Sequence, residues 1–121
     1  MVNGTLHGAE GATDRPILIV TALDAERAPI EALATGLTIR SLRAGVEGDL
    51  LIGTIDGARV ALLRCGVGKV AAALATTSAM ELSPRGVISV GSAASLHPGF
   101  AIGDVVISTE VLQHDFGAAR D

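Results

Sequence analysis

Glu26 is the first side chain in the sequence whose type and position suit chemistry. It lies just beyond the run Ile17-Leu18-Ile19-Val20, which is continuously apolar and therefore predicts a strand buried on both faces. Open α/β sheets bind ligands beyond the carboxyl ends of such strands, and a carboxylate placed there can serve as a general base. The alternative is a structural carboxylate in the first turn of a helix, where the helix dipole favours negative charge. For Glu26 taken alone, this is the commoner explanation.

The segment Gly91–Ser95 is a second candidate ligand site. It follows the short apolar run Val87–Val90, and its residues (Gly-Ser-Ala-Ala-Ser) are all small, so backbone N–H groups can approach a ligand closely. A tight loop without a ligand explains the same composition equally well. Both candidates therefore occupy the same kind of position, each at the end of a predicted buried strand.

Three other motifs lack a residue or a spacing that a functional site would need. Gly66-Val67-Gly68-Lys69 superficially resembles a phosphate loop, but Leu63 and Val70 stand where the Walker pattern requires Gly and Ser or Thr. A dinucleotide fingerprint is weak, because the next strand ends in Ser89-Val90 with no acidic residue to hold a ribose. His114-Asp115 lacks metal-ligand spacing and is better explained by surface hydrogen bonding. We therefore expect no metal site and no cofactor.

The composition excludes several classes of protein. Of the 121 residues, 49% are hydrophobic, 15 are Gly, two are Phe and none is Trp or Tyr. This is too apolar for a disordered chain, and a net charge of −4 with few aromatic rings argues against a nucleic-acid partner. The single Cys65 excludes a disulfide framework and is interpreted as a buried apolar side chain. No apolar run approaches the roughly 20 residues that span a bilayer, so we expect a cytoplasmic protein without a membrane partner.

The order of the predicted elements indicates a mixed α/β fold with a largely parallel sheet flanked by helices. We interpret residues 1–15 as a flexible leader and residues 16–121 as the N-terminal part of a domain. Asp24 is predicted to cap a helix that carries Ile30, Leu33 and Leu37 on one face and ends at Gly36. Asp56-Gly57 between two apolar runs predicts a β-hairpin. The other expected elements are strands over 38–43, 49–55, 59–64, 87–90 and 105–108, and an Ala-rich helix over 69–82.

The last predicted strand, 105–108, has no closing helix after it. Because a parallel sheet needs cover on both faces, the chain is expected to be part of a larger domain. The uncovered face would then favour self-association or pairing with a complementary chain. The helix Lys69–Leu82 is a natural packing surface in either case.

Taken in order, these segments resemble the purine nucleoside phosphorylase superfamily, and within it the bacterial 5′-methylthioadenosine/S-adenosylhomocysteine nucleosidases. The resemblance covers nearly everything from Pro16 onward. Its most specific parts are the stretch Gly-Val-Gly-Lys-Val-Ala-Ala-Ala from Gly66 and the later Gly103-Asp104-Val105-Val106. It implies the N-terminal part of that family's α/β fold. The full set of matching segments is Ile17–Glu26, Gly53–Leu74, Val90–Ala94, Ile102–Ser108 and His114-Asp115.

The resemblance also implies a reaction, the hydrolysis of the N-glycosidic bond of an adenosine-like nucleoside. It assigns the carboxylate that activates water to Glu26, and it places the Ser92 hydroxyl near that carboxylate. The family's leaving-group acid and its second, ribose-binding Glu match nothing between Met1 and Asp121, so the isolated chain is expected to be inactive. The positions implied to contact the substrate are Ala22, Leu23, Val67, Ser92, Ala93 and Ala94.

Two features leave the substrate and the acceptor open. Ala94 and Ser95 stand where the family usually has Gly, and an added Cβ there narrows the pocket or demands a different φ. Ser89 stands where the hexameric phosphorylases of the same superfamily place a phosphate-binding Arg, which favours water over phosphate. Methylthioadenosine, adenosylhomocysteine and futalosine all remain candidate substrates.

Three kinds of alternative function accompany this interpretation. One is a nucleoside phosphorylase of the same superfamily. Another is a non-catalytic half-domain that binds a partner or assembles, and a third is a truncated chain with no function of its own. Family likeness implies a homodimer, or association through the helix Lys69–Leu82.

Overall fold

The computed structural model describes residues 14–113, and these contain five strands and two α-helices. This is the mixed α/β fold that the sequence predicts. The helices are α1 (Asp24–Glu31) and α2 (Lys69–Ala79), and a 3-10 turn, Met80–Leu82, extends α2. The strands are β1 (Ile17–Thr21), β2 (Thr35–Arg40), β3 (Asp49–Ile55), β4 (Ala58–Arg64) and β5 (Gly86–Ser89).

The strands form one sheet in the order β2-β3-β4-β1-β5. β1 runs parallel to both of its neighbours, β4 and β5, whereas β2, β3 and β4 form an antiparallel meander. Because β1 and β5 are parallel, their carboxyl ends lie at the same edge of the sheet. The segments that follow these two strands are therefore brought together.

The hairpin between β3 and β4 confirms the prediction made from Asp56-Gly57. Both residues have positive φ, 48° at Asp56 and 77° at Gly57. A two-residue type I′ turn requires left-handed backbone at both positions, which Asp and Gly tolerate best. The pairing of Ile55 with Ala58 closes the hairpin directly across this turn.

The interior is aliphatic, as expected for a chain whose only Phe, Tyr or Trp residues are two Phe. Its buried members come from β1, β3, β4 and α2, and Cys65 is among them as an unpaired thiol. The helix α2 contributes small side chains, Ala75 and Ala79, which allow it to lie close to the sheet. Across residues 14–113, neither helix is long and apolar enough to cross a bilayer.

Several predictions about α1 are wrong. The N-cap is Leu23, which has extended backbone (φ −120°, ψ 153°), and Asp24 is the first helical residue. The helix ends at Glu31, so Leu33 and Leu37 lie outside it. Gly36 does not end the helix; it lies in β2 with a φ of 64°, where the register between β2 and β3 shifts. Gly36 can adopt the positive φ that this bulge requires. The bulge allows the strand to begin at Thr35, so β2 covers Thr35–Arg40 and not the predicted 38–43.

The predicted strand over 105–108 is not formed. Its residues have no strand assignment and are exposed. A β-branched run becomes a strand only when its N–H and C=O groups pair with a neighbouring strand. No strand among residues 14–113 pairs with this segment.

The predicted leader over residues 1–15 lies mostly outside the described residues. Arg15, however, is anchored, because its guanidinium donates hydrogen bonds to the carbonyls of Ser83 (2.6 Å) and Pro84 (3.2 Å). Asp14 forms an ion pair with Arg59 of β4. Among the described residues, Asp14 and Arg15 of the predicted leader therefore already contact the rest of the fold.

Candidate functional site

The candidate site lies at the carboxyl edge of the sheet, where the chain leaves β1 and β5. Glu26 is the third residue of α1, and its side chain turns back over the link from β1 to the helix. Ser92 follows β5 and approaches the same carboxylate from the other side. The structure therefore brings together two segments that are 66 residues apart in the sequence.

Four hydrogen bonds hold the Glu26 carboxylate. Oε2 accepts the backbone N–H groups of Ala22 and Leu23, both at 3.1 Å. Oε1 accepts the backbone N–H and the hydroxyl of Ser92, both at 2.9 Å. A carboxylate offers about four lone-pair sites, so these four donors occupy all of them. The orientation of the carboxylate is thus set jointly by the β1–α1 link and the loop after β5.

The same hydrogen bonds lower the pKa of Glu26 below its ordinary value of 4.5. The backbone N–H of Ser92 contributes most and its hydroxyl comes next, followed by the N–H groups of Leu23 and Ala22. Desolvation opposes them but does not cancel them. Each donor favours the charged form of the carboxyl, so Glu26 is ionised at neutral pH.

Gly91 provides the space that this arrangement needs. A Cβ at position 91 would lie 3.2 Å from Oε1 of Glu26, which is closer than ordinary van der Waals contact. Sequence reasoning placed Gly91 in the small-residue loop without giving it a role. The signal was present in the sequence, since a Gly directly after a strand often marks a close approach.

Ion pairs surround the first turn of the helix that carries Glu26, and sequence reasoning did not find them. The Arg64 guanidinium, at the end of β4, lies 2.9 Å from an Asp24 carboxylate oxygen and also contacts Asp49. Arg27 bridges Asp24, at 3.6 Å, and Glu31 within α1. The first turn of α1 is therefore in contact with the ends of β3 and β4 through ion pairs that are largely exposed.

The remaining predicted site residues are not gathered around Glu26. Ala93 and Ala94 follow Ser92 in the same loop but are exposed. Val67 is 76% exposed and lines a separate open cavity of about 560 Å³ between the start of α2 and the loop before β3. Of the six predicted contact positions, Ala22, Leu23 and Ser92 meet Glu26 directly, and for the other three a substrate contact stays a prediction.

The described part of the chain contains no group of three or more His, Cys, Asp and Glu side chains placed to hold a metal ion. The pair His114-Asp115, considered from sequence, lies outside the described residues.

Replacing Ser92 by Ala is expected to raise the pKa of Glu26 toward its ordinary value, because one of the four donors is lost. The depressed pKa stabilises the fold at pH values above the ordinary value of 4.5, and this stabilisation is lost as the pH falls through the lowered pKa. The variant should therefore show a weaker loss of stability on acidification. NMR titration of the Glu26 carboxyl carbon measures the pKa directly.

Ser95→Ala is the matched control for this experiment, since the Ser95 hydroxyl donates to the carbonyl of His97 and not to Glu26. A Glu26 pKa that is equal in Ser92→Ala and the unaltered chain would contradict the hydrogen-bond assignment.

Replacing Gly91 by Ala is expected to displace the Glu26 carboxylate by a few tenths of an ångström, which weakens its bonds to Ser92. The Glu26 pKa should rise, and the amide proton of Ser92 should shift in the NMR spectrum. Gly86→Ala is the control, because a Cβ at position 86 meets nothing within 4 Å. Equal responses of the two variants would show that Gly91 has no special relation to Glu26.

Comparison with known protein families gives a match over most of the chain. The model of the family described as "Phosphorylase superfamily" matches residues 16–120. The 5′-methylthioadenosine/S-adenosylhomocysteine nucleosidase of Shewanella sp. strain W3-18-1 is 43% identical over 98 residues, which are 80% of this chain and 41% of that protein. The enzyme of the same name from Anoxybacillus flavithermus is 53% identical over 64 residues, 52% of this chain and 28% of that protein.

Solved structures of similar fold are also named 5′-methylthioadenosine/S-adenosylhomocysteine nucleosidases. The Neisseria meningitidis nucleosidase in complex with methylthio-immucillin-A has a TM-score of 0.67 at 27% identity, covering 74% of this chain and 38% of that one. The Streptococcus pneumoniae nucleosidase with 8-aminoadenine has a TM-score of 0.67 at 26% identity, covering 74% and 39%. The chain spans about two-fifths of the length of these structures.

Proposed function

The chain belongs to the phosphorylase superfamily, and from this we propose that it carries the water-activating part of a nucleosidase site. The proposed reaction is hydrolysis of the N-glycosidic bond of an adenosine-like nucleoside of the methylthioadenosine/adenosylhomocysteine class. The observation that carries the proposal is the Glu26 carboxylate, held by hydrogen bonds between the β1–α1 link and Ser92. The names of the relatives, and the methylthio-immucillin-A and 8-aminoadenine bound in their structures, support the substrate class.

The chemistry follows from the charge that develops during bond cleavage. As the base departs, the ribose approaches an oxocarbenium-like state with positive charge near the anomeric carbon. A fixed, ionised carboxylate stabilises that charge and orients a water molecule for attack. A lowered pKa makes Glu26 a weaker base, but it guarantees the charged form, and the water becomes more acidic as it bonds to the cation.

Because all the lone pairs of Glu26 are occupied, one of its four donors must move before Glu26 can accept a hydrogen bond from water, and the Ser92 hydroxyl is the donor suited to do so. Three of the four donors are backbone N–H groups, whose directions are fixed by the chain. The Ser92 hydroxyl is the only donor of the four that can rotate about a single bond. We propose that it turns away from Oε1 when substrate binds, which frees one lone pair of Glu26 for the attacking water.

The other parts of the proposal concern the pocket and the domain. Substrate contacts are assigned to Ala22, Leu23, Val67, Ser92, Ala93 and Ala94. Departure of the purine needs a general acid on the far side of the sugar, and the proposal places that acid outside residues 16–121. In this proposal, residues 16–121 are the N-terminal part of the catalytic domain and residues 1–15 are its leader. Without the general acid, this chain alone is inactive.

The assembly and the compartment are proposed from the exposed side chains of α2 and from the Cys65 thiol. Val70 and Leu74 of α2 expose 74% and 54% of their surface, which supports a homodimer contact through the helix 69–82. Light scattering tests this contact, and a monomer at micromolar concentration would contradict it. The unpaired thiol of Cys65 supports a reducing compartment, the cytoplasm.

A chimera tests the reaction. The full chain is joined at its C-terminus to the part of the Shewanella relative that lies beyond the matched segment, and adenine release from methylthioadenosine is followed. We expect release that does not depend on phosphate, with the free sugar as the second product. A sugar 1-phosphate would establish the phosphorylase alternative. A folded chimera that releases no adenine, beside an active Shewanella control, would contradict the proposal.

A further inference from the structure

We propose that an open cavity of about 370 Å³, the arginine cavity, binds a small organic phosphate. Its lining includes three guanidinium groups and three apolar side chains, those of Arg15, Arg40, Arg59, Pro16, Ile52 and Leu82. The inference goes beyond the proposed function, because none of these residues is assigned to the nucleoside site.

The arginine cavity lies toward the opposite end of β1 from Glu26. Arg15 comes just before β1, and Arg59 is the second residue of β4, which runs parallel to β1. Glu26 and Ser92 instead follow the carboxyl ends of β1 and β5. A ligand in the arginine cavity therefore binds at a place separate from the candidate nucleoside site.

The strand register places two of the arginines on one face of the sheet. Ile52 of β3 pairs with Thr38 of β2 and with Ala61 of β4. Arg40 and Arg59 each lie two residues from these partners, so their side chains project from the same face as Ile52. The sheet thus supplies a floor that is apolar at Ile52 and cationic on the strands to either side.

Both acidic side chains of the arginine cavity are already paired with arginines. Asp14 forms an ion pair with Arg59, and Glu81 forms one with Arg43. Each pair is close to neutral, so these carboxylates do not cancel the charge of the other arginines. The lining therefore remains positive, although the chain as a whole carries a net charge of −4.

Arg15 and Arg40 supply that positive charge. The Arg15 guanidinium is held by hydrogen bonds from Nε and Nη2 to the carbonyls of Ser83 (2.6 Å) and Pro84 (3.2 Å), which leave its Nη1 group to face a ligand. The Arg40 guanidinium has no hydrogen bond or ion pair among residues 14–113. Two guanidinium groups without an acidic partner match the double negative charge of a phosphate monoester, whereas a carboxylate would neutralise only one of them.

An apolar wall lies beside the arginines and indicates that the phosphate carries an organic group. Pro16 is buried, and Ile52 and Leu82 are partly buried against the core. The cavity is larger than a phosphate ion needs, and its volume is within the range of roughly 300–1,000 Å³ that is usual for small-molecule sites. A ring attached to the phosphate would cover this wall and remove its apolar surface from water.

Calorimetric titration of the full chain with phenyl phosphate tests the proposal, at an ionic strength of about 0.15 M so that non-specific attraction is screened. We expect saturable binding that is tighter than that of inorganic phosphate and of benzoate. Arg40→Gln should weaken it roughly tenfold or more, because a charge-assisted hydrogen bond is lost. Arg40→Lys keeps the charge without the planar fork and should be intermediate.

Arg85→Gln is the matched control. It removes the same charge from an exposed arginine that does not line the cavity, and it should bind phenyl phosphate normally. NMR amide shifts then locate the ligand, and changes at Arg15 and Ile52 are expected.

Three results would overturn the proposal. One is the absence of saturable binding below about 10 mM phenyl phosphate. Another is equal weakening by Arg40→Gln and Arg85→Gln, or equal binding of benzoate. The third is a set of amide shifts confined to residues 91–92, which would place the phosphate at the nucleoside site. None of these measurements involves adenine release, so their failure and that of the proposed reaction are distinguishable.

Discussion

Replacing Glu26 by Gln is expected to lower adenine release by the chimera roughly 10²- to 10⁴-fold, the range typical for loss of a general base. The amide keeps the size of the side chain but removes its negative charge. It also turns an NH₂ group toward one of the two pairs of donors that now hold the carboxylate. The loss should appear in kcat more than in KM, since the carboxylate acts mainly on the charge that develops during cleavage.

The neighbouring carboxylate supplies the control for that experiment. Asp24 lies in the same helical turn but pairs with Arg64, so Asp24→Asn removes one charge without touching the carboxylate that holds Ser92. Its turnover should remain within a few-fold of the unaltered chimera. Glu26→Asp keeps the charge but shortens the reach, and it should be intermediate. Turnover by Glu26→Gln close to that of Asp24→Asn would remove Glu26 from the mechanism.

Replacing Leu63 by Ala is expected to destabilise the fold by about 2–5 kcal/mol, the usual range for such a cavity in a core. Leu63 is fully buried on β4, where it lies opposite Leu50 of β3 and Val20 of β1. These strands are held by the sheet and cannot easily collapse into the space. Urea unfolding followed by circular dichroism measures the change.

Ile39→Ala is the control for the core substitution. Ile39 is also a strand residue, but most of its surface is exposed, so its truncation should change stability by no more than about 0.5 kcal/mol. Equal effects at positions 39 and 63 would mean that β4 is not the centre of the core.

The elements predicted correctly are those whose signals are local. The β1 run Ile17–Val20 is apolar without interruption, and Asp56-Gly57 suits a turn that few other residue pairs tolerate. The Ala-rich segment after Gly68 lacks any helix breaker until Pro84 and forms α2 with its 3-10 extension. In each case a short stretch contains the whole physical reason for its conformation.

The elements predicted wrongly depend on distant partners. Gly36 is as suitable for a helix end as for a bulge, and the pairing of β2 with β3 decides between them. The run at 105–108 has the composition of a strand, but no described strand lies beside it to complete its hydrogen bonds. The composition of a segment limits which secondary structures it can adopt, and hydrogen bonding to a neighbouring strand decides which one it adopts.

For the candidate site too, some features could be predicted from the sequence and others depend on the tertiary structure. The residue types alone pointed to Glu26 and to the small loop at Ser92, because each follows an apolar run predicted to be a buried strand, and chemistry is concentrated at such positions. The prediction of burial is wrong for β5, whose four residues are exposed among the described residues. The parallel pairing of β1 and β5 decides the rest of the geometry. It brings Glu26 and Ser92 together, so that four donors occupy the carboxylate, and it leaves little room for a side chain at Gly91. Hydrogen bonds between groups 66 residues apart follow from how the strands pair, and no local pattern in the chain encodes that geometry.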